Sequence, residues 1–200
     1  MKWFLCALCC LTEGLSVLRA QIMPDSSVQI CAYWTPGDKY AYEAREEKFK
    51  IDDRGDTTLV CRQSERRVFE ILSQTKNRYK IRLTYGDYMT TDKEDQLMHD
   101  AIASATGPCV VEFETDETGS LLGIANLETL VAQAEASVEP AVRVMWETIP
   151  SAERKNFPKK NFRKYMARTL SDPSVVINAV NDDLGRMFFF HGARLDSTQV

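Results

Sequence analysis

The hydrophobic period of the chain changes near Asn126, from two before it to about 3.6 after it. Residues 28–124 read mostly as strands and residues 126–184 as helices. Tyr79, Ile81, Leu83 and Tyr85 alternate with Lys80, Arg82 and Thr84, giving a strand with one buried and one wet face. Connections between the strands are short. Short connections cannot join parallel neighbours, so the expected sheet is an antiparallel meander.

The turn chemistry supports that order. Ile51-Asp52-Asp53-Arg54-Gly55-Asp56-Thr57 reads as a hairpin between the charged strand 40–51 and the strand that begins Thr58-Leu59-Val60-Cys61. Val68–Leu72 reads as a further strand, apolar on both sides at its centre. A helix interrupts the meander, with Thr91 and Glu94 as a capping box and Gly107-Pro108 as its stop. Strand pairing resumes at Val110–Thr115, turns at Asp116–Gly119 and returns along Leu121–Ile124.

The helical half opens with Asn126 as N-cap of a long helix carrying Leu127, Leu130, Val131, Ala134 and Val138. Pro140 is expected to kink or restart it. A helix follows Pro158, and Asp172-Pro173 opens one more through Val176, Ala179, Val180 and Leu184. The closing run Met187-Phe188-Phe189-Phe190-His191-Gly192-Ala193-Arg194-Leu195 reads as the start of another strand. That strand either pairs with the sheet or leads into a longer protein. The expected fold class is α+β: a curved antiparallel sheet, in the extreme a half-barrel, with helices packed on one face.

Met1–Ala20 reads as a secretory signal peptide: Lys2, then the apolar run Trp3–Leu11, then Ala20 at the exit. Residues 21–200 are then a single α+β domain, or the N-terminal part of a longer protein. No later stretch is long and apolar enough for a transmembrane segment. A net charge of −4 argues against nucleic acid as partner. Cys31, Cys61 and Cys109 remain past residue 20, read as one bridge and a free thiol or as three thiols. Export points to the periplasm or outer membrane, or to a secreted protein.

Candidate chemistry is sparse. Past residue 20 there is no nucleophile elbow, phosphate loop, His-Glu-x-x-His or Cys-x-x-Cys, so no catalytic, cofactor or metal site is assigned. His99 reads as a surface residue and His191 as a hydrogen-bonded structural one. Glu112, Glu114 and Asp116 share a strand face, where a solvated surface is preferred over a cation site. Asp52–Asp56 is read as a plain turn rather than a calcium loop. Arg154, Lys155, Lys159, Lys160, Arg163, Lys164 and Arg168 form a basic cluster around Phe157 and Phe162. Of these, Lys159, Lys160, Arg163 and Lys164 are the candidate contacts to an anionic surface.

Tyr33–Tyr42, the Gly119 hairpin leading into Ile124-Ala125-Asn126-Leu127-Glu128, and Phe190-His191-Gly192-Ala193 resemble an uncharacterised family of secreted or envelope proteins of Gram-negative bacteria. The resemblance implies no activity that can be carried to a residue. A looser analogy is to half-barrel lipoprotein carriers, whose sheet cups an acyl chain under helices. The resulting expectation is a non-catalytic envelope protein that binds a lipid or other apolar or amphiphilic ligand between sheet and helices. Candidate lining residues are Phe69, Ile81, Leu83, Phe113, Leu130 and Met145, although an ordinary core is the preferred reading of each. The alternative is a structural module that docks an envelope protein. Behind both stands a hydrolase built on Glu112 and Glu114.

Overall fold

A computed structural model of the chain describes Met23, Asp25 and residues 27–154 and 158–195. The proposed leader, Lys155 and Phe157 lie outside the described residues. The chain order is β1 (Val28–Gln29), β2 (Lys39–Ile51), β3 (Thr57–Gln74), β4 (Arg78–Thr90), α1 (Lys93–Thr106), β5 (Val110–Asp116), β6 (Leu121–Ile124), α2 (Leu127–Thr148), α3 (Lys159–Leu170), α4 (Pro173–Phe188) and β7 (Arg194–Leu195).

The fold is α+β. β2-β3-β4-β5-β6 form one antiparallel meander, open rather than closed into a barrel, and β1 pairs with β7 in a separate ribbon. The turns follow from their side chains. Asp52 Oδ1 accepts hydrogen bonds from the backbone N–H groups of Arg54 and Asp56, and Gly55 takes a φ of 85°. Asp116 Oδ1 does the same for Thr118 and Ser120 in the next hairpin.

Registry sets the two faces. Phe69 lies opposite Leu83, Ile71 opposite Ile81, Ile81 opposite Phe113, and Leu83 opposite Val111. These side chains make one continuous buried grid, closed by Leu130 of α2 and by Leu184 and Phe188 of α4. The opposite face is a charge ladder: Lys39–Glu70, Glu70–Arg82, Arg82–Glu112, Glu112–Lys80 and Arg78–Glu114. The other helices build outward: α1 and α3 both pack on α2.

Several expectations change. Thr58–Cys61 and Val68–Leu72 belong to one strand, β3, of 18 residues. Within it Phe69 and Ile71 are buried while Val68 and Leu72 are only half-buried, so the centre is apolar-in rather than buried on both sides. The cap of α1 is Asp92, which accepts from Glu94 and Asp95, not Thr91. Thr91 is occupied with Arg62, whose backbone N–H donates to Thr91 Oγ1 at 3.0 Å. Asn126 stands at the N-cap of α2 but its side chain does not cap. It bridges to β5 instead, accepting from Glu112 N–H and donating to the Val110 carbonyl, both at 2.8 Å. α2 runs as one helix through Pro140. Asp172 caps α4 as expected.

The largest correction is at the C-terminal run. Met187 and Phe188 end helix α4, and only Arg194-Leu195 is strand, paired with Val28-Gln29. Val176, Val180, Leu184 and Phe188 continue one stripe at a spacing of four, and the last fills the centre of the core. Helix continuation there buries a phenylalanine that a strand would have to place elsewhere.

Candidate functional site

Three segments distant in sequence meet at one corner of the sheet. Ala32 N–H donates to Thr118 O at 2.9 Å, Gly192 N–H to Ile30 O at 2.8 Å, and Ser120 Oγ to His191 O at 3.2 Å. This clasp seats Trp34 among Tyr79, Phe188 and His191, with ring centroids 5.2, 5.9 and 5.2 Å away. Phe188 in turn contacts Phe69 and Phe113 edge to face.

A cleft of about 340 Å³ opens beside these rings, between β2–β3 and the end of α4. Its walls are Trp34, Tyr40, Tyr42, Phe69, Ile71, Ile81, Met187 and Phe188, with Glu43, Ala44, Arg67 and His191 completing the lining. Tyr42 stands edge-on to Phe69 at 5.6 Å. Arg67 is not a free cation at this site. It donates to Glu65 and to Asp183, each at 3.0 Å, and lies 5.3 Å above the Tyr85 ring. Tyr85 completes the network by donating to Asp183 at 2.5 Å, and burial together with that carboxylate pushes its phenol far up. The cleft thus presents aromatic surface, with its one guanidinium already neutralised by two carboxylates.

His191 packs against the rings of Trp34 and Phe188, and its Nδ1 is buried without a hydrogen-bond partner among the described residues. Burial lowers its pKa below the ordinary 6.5, opposed by the Phe188 carbonyl. The unfolded chain therefore takes up a proton near pH 6.5 while the folded chain does so only at lower pH. Stability is expected to fall as pH drops from 6.5 toward the folded value, by uptake of up to about one proton on unfolding. Urea midpoints measured between neutral pH and the onset of carboxylate titration test this. The slope should flatten in His191→Gln, and an equal slope in the variant would assign it elsewhere.

The expected lining residues separate. Phe69 and Ile81 line the cleft. Leu83 and Phe113 are fully buried behind it and Leu130 is buried core. Met145 is half-buried on α2, away from the cleft lining. His99 stacks on Tyr88 at 4.5 Å. Glu112 is paired with Lys80 and Arg82, and their hydrogen bonds hold its carboxyl below the usual range, the reverse of what a general acid requires. Glu114 is paired with Arg78 on the same open face. Among the described residues Cys31, Cys61 and Cys109 form no disulfide with one another. Among the described residues no helix is long and apolar enough to cross a membrane.

The basic cluster is partly spent internally. Arg154 donates to the carbonyls of Ile149 and Glu147 at the end of α2, and Arg163 is paired with Glu139. Lys159 borders a separate groove between helices, with Ala101, Pro140 and Arg143. Lys160 and Lys164 are exposed.

Trp34, Tyr40, Tyr42 and Phe188 were not legible as site residues. Alternation does place Tyr40 and Tyr42 on one face, but only the pairing with Phe69 and Arg67 shows that it is the inner face. No family model, curated protein or solved structure matches the chain.

Proposed function

We propose that this chain is a non-catalytic binding protein whose cleft takes an apolar or amphiphilic small molecule. The supporting observation is the ring-lined cleft of about 340 Å³ at the sheet edge. That volume stands at the small end of ligand sites, of roughly 300–1,000 Å³. It suits an aromatic ring or a short alkyl segment, with the polar end left at the mouth, and is too small to enclose a long acyl chain. Neither Arg67, paired twice, nor His191, whose charged form burial disfavours, offers an anion a free charge. The leader reading of Met1–Ala20 adds that the protein works outside the cytoplasm, in the cell envelope.

Calorimetric titration with p-cresol, octanoate and octyl glucoside below its micelle concentration tests the reading. The expected result is saturable binding of at least one probe, with affinity reduced about tenfold or more in Tyr42→Ala, a truncation of one ring wall. No saturable heat and no thermal shift with any probe would overturn it. A recovered protein that still begins at Met1 would remove the export half of the proposal alone. The second reading, an interaction module, draws on a different feature, the open edge of β2.

A further inference from the structure

β2 is an edge strand of 13 residues, exposed along its length except for half-buried Ala44. The other edge, β6, has only four residues. A long edge presents a row of unpaired backbone donors and acceptors, and its Lys and Glu side chains discourage indiscriminate pairing. The order of those charges selects one partner. Two copies of a strand that pair antiparallel are related by a two-fold axis perpendicular to the sheet, so some residue lies opposite itself or its neighbours pair symmetrically about it.

Most centres fail on charge. Glu43, Arg45, Glu46, Glu47, Lys48 and Lys50 would each face their own copy. Centring on Tyr42 sets Lys39 against Arg45, and centres nearer either end overlap less than half of the strand. Ala44 alone avoids this. It places the smallest side chain at the axis and Glu43 against Arg45 of the second copy, twice. Arg45 already pairs with its own Glu43 at 2.8 Å, so the four charges would alternate in a ring on the ladder face.

We infer that this chain forms a two-fold dimer by antiparallel pairing of β2 with β2 of a second copy, in register about Ala44. Cross-strand neighbours share a face. The dimer therefore sets Glu46 and Lys48 of the second copy beside Tyr42 and Tyr40, at the open side of the cleft. Only the last pair of this register, Lys39 with Phe49, reaches past the bulge between Lys48 and Phe49. The inference does not depend on what the cleft binds.

Sedimentation equilibrium of the full chain and its variants tests it. The expected result is a wild-type dimer, a dissociation constant raised about tenfold or more in Arg45→Glu, and recovery in the charge-swapped double variant Glu43→Arg with Arg45→Glu. Ala44→Lys, which sets two ammonium groups at the axis, should give the same monomer by another route, with circular dichroism confirming the fold of each variant. A monomeric wild type, a dimer indifferent to Arg45→Glu and Ala44→Lys, or a double swap that stays monomeric would each overturn the inference.

Discussion

Phe188→Ala is expected to lower the stability of the domain by about 3–5 kcal/mol, read as a shift of the denaturant midpoint at constant m-value. The side chain is 8% exposed and is the hub of the aromatic cluster, with Trp34, Phe69, Phe113 and His191 all within 5.2–5.9 Å of its ring. Truncation removes the edge-to-face contacts and leaves a void next to the cleft, where sheet grid and helix α4 are joined. The neighbouring Phe189 and Phe190 are exposed at 64% and 56%, so their alanine variants serve as internal controls and should cost little. A cost for Phe189→Ala equal to that of Phe188→Ala would mean that the helix ends elsewhere and that the strand expectation deserves return.

The second large effect is expected at the clasp. Gly119 has a φ of 94°, and a Cβ placed on it would stand 2.7 Å from Cδ2 of His191 and 3.0 Å from Cβ of Ala32. Neither neighbour is the loose end of a flexible chain: His191 is held against Trp34 and Phe188. Gly119→Ala combines a disfavoured backbone with overpacking at a three-segment junction and should cost roughly 2–5 kcal/mol. Gly55 shares the backbone feature, with a φ of 85°, but has nothing within 4 Å of its Cβ position. Gly55→Ala therefore isolates the backbone cost. Equal losses at the two positions would show that the clasp contributes nothing to the Gly119 effect. Loss of cleft binding in a still-folded Gly119→Ala variant would tie the clasp to the proposed site.

Legibility followed the range of the interactions involved. The faces of β4 and β5 were readable because alternation is local: Ile81 and Leu83 go in, Lys80 and Arg82 go out. The Asp52 and Asp116 turns and the Asp172 cap were readable for the same reason, each resting on a side chain reaching its own neighbouring backbone. Thr91 and Asn126 misled because their side chains had better partners across the fold. Thr91 sits 29 residues from Arg62, and Asn126 bonds 14 and 16 residues back to β5. Phe188 had a readable signal in the Val176-Val180-Leu184 stripe. The run of three phenylalanines favours strand just as strongly, and only burial against Phe113 separates the two.

Residue order alone was enough to specify an antiparallel meander, the change to helices near Asn126, and which face of the central strands is apolar, because periodicity and turn chemistry act over a few residues. It also carried the charge order of β2, since that is a property of one strand. The cleft belongs to the tertiary structure. Its walls come from the loop at Trp34, three strands and the end of α4, and they meet only because β1 pairs with β7 and the Gly119 turn closes on His191. Such long-range pairings are set by the packing of the whole core, which no local stretch of sequence encodes.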